Sequence, residues 1–138
     1  MSFFQKEDWF AHWFDSPYYH LLYANRVYTE ADQFVEKIVT SQSYDQHIFL
    51  LDVACGKGRH ALAFSRYGLM VSGIDLSPES IEFANKSASD LVEFYVHDMR
   101  NTFRINYYDV VTNLFSSFGY FDNENDDYKA AKMMFLAL

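Results

Sequence analysis

The chain has 138 residues, half of them apolar and 22% charged, with a net charge of −8. That is one globular domain, burying roughly 65–70% of its unfolded surface, and its composition excludes a disordered chain. The acidic balance excludes the basic face that phosphate-backbone binding needs, no apolar run approaches the ~20 residues of a membrane span, and Cys55, the single cysteine, excludes an internal disulfide framework. No secretory signal is visible at the amino terminus, so a cytoplasmic setting is expected, with neither membrane nor nucleic acid as partner.

Residues 1–40 are aromatic and helical in pattern. Trp9 and Trp13 sit four apart, as do Phe10 and Phe14, which suits a short helix ended by Ser16-Pro17. Thr29 reads as the N-cap of a second helix, whose face carries Ala31, Phe34, Val35, Ile38 and Val39. The polar stretch Thr40–His47 reads as a loop.

From residue 48 the pattern alternates strand and helix. Ile48–Val53 is a nearly unbroken apolar run, as in a strand buried on both faces. Arg59–Tyr67 is predicted as a helix closed by Gly68, and Leu69–Ile74 as a second strand. Ser77-Pro78-Glu79 combines a hydroxyl cap, a proline at the first helical position and an acid in the first turn, opening a helix to about Ser89. Leu91–Val96 and Asp109–Leu114 read as the third and fourth strands, and Asn123–Leu138 as a third helix in this part. The alternation predicts an α/β fold, a doubly wound parallel sheet with right-handed crossovers. Four strands are few for that architecture, and the last helix ends in bare apolar residues, Met133–Leu138. A truncated domain is therefore expected.

The chemistry concentrates in Leu50–Ala61, where a buried strand runs into Ala54-Cys55-Gly56-Lys57-Gly58 and a helix opens. In parallel sheets the ligand crevice lies at the carboxyl ends of the strands, and glycines there let backbone approach a ligand. Asp52 lies near the end of the first strand, Asp75 ends the second, 17 residues after Gly58, and Asp98 follows the third. Asp75 is placed to accept bonds from a ribose diol. Gly56–Ala61 matches the dinucleotide pattern G-x-G-x-x-A, which leaves an NAD(P)-dependent oxidoreductase open as an alternative. Asp52 is badly placed near a diphosphate, however, and well placed near a cation. S-adenosylmethionine carries an ammonium, a sulfonium and a ribose, and an acidic pocket suits it.

Together, Leu50–Gly58, Gly73–Pro78, His97-Asp98-Met99 and Tyr108–Val111 resemble the class I, Rossmann-like S-adenosylmethionine-dependent methyltransferases, over about residues 48–121. The resemblance implies that Asp52 and the loop residues Ala54, Cys55, Gly56 and Gly58 lie under the methionine part of the cofactor. It implies that Asp75 binds the ribose hydroxyls with Leu76 against adenine. It also implies that Asp98 accepts from the adenine amine beside Met99, and that Asn113 and Leu114 border the sulfonium. The segment Phe115–Phe121 looks like that of small bacterial members. Ala54 departs from the family's usual glycine, and the family's sheet has seven strands.

Residues 1–40 would then lid the cofactor, and 48–138 would form the binding domain. Tyr18–Tyr28 resembles the lid of methyltransferases with small-molecule acceptors, in which a tyrosine near Tyr19 lies against the cofactor. Val27 replaces the family's acid there, and packing of these aromatics onto the sheet is the competing reading. The expected activity is methyl transfer to a small-molecule acceptor; a catalytically inactive nucleotide-binding fragment is the non-enzyme alternative. No catalytic base can be named. Histidines 12, 20, 47, 60 and 97 show no metal-ligand spacing, and Cys55 reads as loop packing. Self-association through the open edge of the fourth strand is expected.

Overall fold

The computed structural model describes residues 16–17, 28–44, 47–114 and 118–138. Its helices are α1 (Tyr28–Gln42), α2 (Arg59–Arg66), α3 (Pro78–Asn85) and α4 (Glu124–Ala137). Its strands are β1 (Phe49–Val53), β2 (Met70–Asp75), β3 (Val92–Val96) and β4 (Val110–Thr112). The strands form one parallel sheet in the order β3-β2-β1-β4. The order reverses between β1 and its neighbours, so the crevice of a doubly wound sheet opens beside the carboxyl end of β1.

Side chains alternate across β1, and each face has its own core. Leu50 joins Val35 of α1, Ala61 and Phe64 of α2, Ile81 and Ala84 of α3, and Phe94 on one face. Leu51 and Val53 join Ile74, Tyr108, Met133 and Ala137 on the other, where α4 packs. Identifiable bonds close helix ends on both sides of the sheet. Ser77 Oγ accepts from the Ser80 N–H at 3.1 Å, the predicted cap of α3. At the far end of α4, the amides of Asn106, Tyr107 and Tyr108 donate to the carbonyls of Leu136 and Ala137, which have no partner within the helix.

Several predicted boundaries shift. Thr29 lies inside α1, which begins at Tyr28, so it is not the cap. That helix also runs through Thr40 and Ser41 to Gln42, because both hydroxyls donate back to carbonyls of their own helix (Glu36 and Ile38) instead of breaking it. Helix α3 stops at Asn85, short of Ser89, since residues 85–90 are all exposed and offer no face to bury. Ser89 instead pairs with Val92 in a turn leading into β3. Strand β4 is shorter than the Asp109–Leu114 expected. The expected first helix, around Trp9–Phe14, and Tyr19 lie outside the described residues.

Candidate functional site at the carboxyl ends of the strands

The loop from β1 to α2 has a backbone that few residues tolerate. Ala54, Gly56 and Gly58 all have positive φ, at 57°, 57° and 81°. Glycine adopts such angles freely; Ala54 holds its own at a cost of about 1 kcal/mol. The loop is pinned internally: Cys55 N–H donates to Ile74 O at 3.0 Å, and Gly58 N–H to Cys55 O at 3.0 Å. Gly56 N–H donates to Asp75 Oδ2 at 2.8 Å. A Cβ at Gly56 would meet no atom within 4 Å, so that side of the loop is open. At Gly58 a Cβ would come within 2.5 Å of the Phe94 ring. The second glycine of the motif therefore serves packing, the first an open face.

Asp52 sits opposite Gly73 of β2 and Thr112 of β4 in the sheet register, and is only 3% exposed. Thr112 Oγ1 donates to its Oδ1 at 2.9 Å. Among the described residues no cation pairs with it. Burial pushes its carboxyl up from 3.8 to about 7; the Thr112 bond opposes the shift and the charge of Asp75 adds to it. Burial, then the charges of Asp52 and Asp75, also push the Cys55 thiol well above its ordinary value, which makes it inert packing. Cys55 indeed packs against the core beside Phe94 and Gly73.

Asp75 is the hub between loop and helix. Its Oδ2 accepts from Gly56, and its Oδ1 from the Ser77 N–H at 2.9 Å. Leu76 follows it, half-buried. Asp98 lies beyond β3, gripped by Arg100, whose Nη2 donates to Oδ2 at 2.7 Å. Burial works against ionisation of Asp98, but the Arg100 bonds outweigh it and hold the carboxyl below the usual range. Met99 turns to the α4 side and packs against the core there. Asn113 directly follows β4 and donates from Nδ2 to Val53 O at 3.0 Å, tying the ends of β4 and β1 together.

Asp52, Ala54, Cys55, Gly56, Gly58, Asp75, Leu76, Asp98, Met99 and Asn113 thus all lie at or just past the carboxyl ends of the four strands. Two residues escaped the sequence reading. Thr112 is visible only through strand register. Arg100 carries a faint signal, a base two residues after an acid, but its second partner lies 26 residues away. Chemically, the crevice offers acceptors. Three loop N–H groups already donate within the protein, and Asp52, which pairs with no cation among the described residues, suits a positively charged ligand.

Comparison with known proteins agrees with this geometry. A family model described as a methyltransferase domain matches residues 50–135. The chain is similar to YqeM of Bacillus subtilis (strain 168), provisionally named a methyltransferase: 34% identical over 92 residues, 64% of this chain and 37% of that protein. Among solved structures it is similar to CalS10 of Micromonospora echinaspora, an amino pentose methyltransferase with S-adenosylmethionine bound. The TM-score is 0.67 at 27% identity, over 86% of this chain and 50% of that one. The sugar N-methyltransferase KedS8 of Streptoalloteichus shares the fold, with TM-score 0.71 at 24% identity, over 87% of this chain and 49% of that one. The chain spans half the length of these proteins or less.

Proposed function

The chain belongs to the methyltransferase domain family, with the Rossmann-like fold of its class I S-adenosylmethionine-dependent members, and from that premise we propose that its crevice binds S-adenosylmethionine for methyl transfer to a small-molecule acceptor. The observation that carries this reading is that Asp52, Asp75 and Asp98 lie at or just past the carboxyl ends of three adjacent parallel strands, with Asp75 bonded to Gly56, whose own side of the loop is open. Asp52 would face the cationic methionine part, with the Ala54–Gly58 loop beneath it. Asp75 would accept from the ribose hydroxyls beside the backbone bonds it takes from Gly56 and Ser77. Leu76 would lie against adenine, Asp98 and Met99 at its amine, and Asn113 near the sulfonium. The bound cofactor supplies an already activated methyl group, so the protein's part is to orient the acceptor and exclude water. Residues 1–40, with Tyr19, are proposed as the lid; α1 anchors that segment through Ala31 and Val35 in the core and the Asp32–Arg66 ion pair to α2.

The test is calorimetry. Asp75→Ala is expected to weaken S-adenosylhomocysteine binding by about 1.5–3 kcal/mol, the loss of charge-assisted hydrogen bonds. Unchanged affinity in a folded variant removes the ribose assignment. Tight NAD binding with no S-adenosylhomocysteine binding removes the whole reading.

Self-association is a further expected property. Strand β4 is one of the two sheet edges among the described residues, beside β3 at the other, and α4 with its C-cap exposes Tyr128, Phe135 and Leu138 by 65%, 75% and 53%. Sedimentation of the 138-residue chain at micromolar concentration is expected to show dimers or larger species. A monomer at that concentration counts against it.

A further inference from the structure

The Arg100 guanidinium joins two carboxylates from different parts of the fold. Toward Asp98, Nη2 donates to Oδ2 at 2.7 Å, Nε to both oxygens at 3.1 and 3.2 Å, and the backbone N–H to Oδ1 at 2.9 Å. Toward α4, Nη1 donates to Asp126 Oδ2 at 3.2 Å. Phe121, just before α4, lies 5.0 Å from the guanidinium carbon. Asp126 is itself fixed. Asn123 Nδ2 donates to its Oδ2 at 3.2 Å, Lys129 Nζ to its Oδ1 at 3.3 Å, and its own N–H caps back onto Asn123 Oδ1 at 2.8 Å. All three charged side chains are mostly covered, Arg100 and Asp98 at 21% exposure and Asp126 at 12%.

A carboxylate has about four lone-pair sites. Arg100 fixes the plane of the group: its backbone N–H and Nε hold Oδ1, while on Oδ2 only the Nη2 bond is short, the Nε contact at 3.2 Å being the long arm of a shared bond, so the direction from which Oδ2 can accept a further donor is set. A planar fork held at both ends sets that direction more firmly than a flexible ammonium could. The far end of the fork rests on α4, a helix anchored by its own core and by the capping bonds of residues 106–108.

We propose that Arg100 is a positioning and specificity-determining residue: by bracing Asp98 against Asp126 of α4, it aims Oδ2 of Asp98 at a purine 6-amino group and makes the crevice select a 6-amino over a 6-oxo purine. The inference rests on the assignment of Asp98 to adenine made above. It adds a device: selectivity at one strand end depends on a helix contact reached through a second residue.

The experiment compares S-adenosylhomocysteine with S-inosylhomocysteine, its 6-oxo analogue, by calorimetry on the 138-residue chain. The unaltered chain is expected to prefer the adenine form by roughly tenfold or more, the worth of one charge-assisted bond. Arg100→Lys, which keeps the charge and loses the fork, is expected to bring the two affinities within about threefold. Asp126→Asn, which leaves both Arg100 and Asp98 in place, is expected to reduce the preference as well. A merely structural role weakens both ligands alike and leaves their ratio unmoved. A full preference retained in both folded variants overturns the inference alone. Tighter S-adenosylhomocysteine binding in Arg100→Lys means that Arg100 competes for Asp98, and overturns it too. An unaltered chain with no preference overturns the Asp98 assignment and the inference together.

Discussion

Asp52→Asn is expected to change the stability of this domain by an amount that depends steeply on pH. The carboxyl is buried at the end of β1 with one hydrogen bond, from Thr112, and its folded value is about 7 against an ordinary 3.8. Below about pH 4 it is protonated in both folded and unfolded chains, and the folded state bears no charge penalty. Between pH 4 and 7 the unfolded chain ionises while the folded one keeps its proton, so stability falls by about 1.4 kcal/mol per pH unit. The loss attributable to this one group reaches about 4 kcal/mol near pH 7 and then levels off, a large share of a domain's total. Asparagine keeps the shape and cannot ionise. The variant should therefore match the unaltered chain near pH 4 and exceed it by about 2–4 kcal/mol at pH 8, less whatever its amide loses by imperfect hydrogen bonding. Urea denaturation across that range reads the difference, and parallel stability profiles would refute the assignment of a burial-raised carboxyl. A cationic ligand reverses the balance, since it stabilises the ionised form. A destabilising acid kept at the mouth of the crevice fits a group held for binding, not for folding.

The parts of the molecule that were legible in the sequence are those dictated by local chemistry. The run Ile48–Val53 could only be a strand covered on both sides, and the structure covers it with α1, α2 and α3 on one face and α4 on the other. Ser77-Pro78-Glu79 wrote its own cap. The three acids were legible because a parallel sheet sends every strand's carboxyl end to the same side. What was not legible depends on contacts between distant residues. Nothing in the sequence sets Thr112 beside Asp52; the β1–β4 register does. Asp126 is an ordinary first-turn acid until Arg100 reaches it. Met99, expected beside Asp98, is partly buried against the α4-side core, a contact with residues far along the chain that no local pattern announces. The ends of α1 and α3 were misplaced for other reasons: local hydroxyl back-bonding extends one, and want of a surface to bury ends the other.

Gly58→Ala carries the second large effect, and Gly56→Ala is its internal control. Both glycines have positive φ, 81° and 57°, so each alanine incurs a backbone strain of about 1 kcal/mol. Their surroundings differ. A Cβ at Gly58 would stand 2.5 Å and 2.6 Å from two atoms of the Phe94 ring and 3.3 Å from Ala84 Cβ. Phe94 cannot retreat: it is 5% exposed, belongs to the main core, and lies equally close to where a Cβ of Gly73 would stand, at 2.6 Å. The ring is thus wedged between two glycines, one from the loop and one from β2. Relief requires a shift of the ring or of the loop, and overpacking of this kind costs a further 1–3 kcal/mol, roughly. Gly58→Ala should accordingly destabilise by about 2–4 kcal/mol and Gly56→Ala by about 1 kcal/mol, as read by urea denaturation. Replacing Phe94 by leucine in the Gly58→Ala background should recover part of the loss, because the smaller side chain vacates the space the methyl group needs. Equal destabilisation by the two alanines would show that backbone strain alone governs the loop. The predicted inequality makes Phe94, a strand residue with no place in the crevice, the element that sets the height of the loop on which a cofactor would rest.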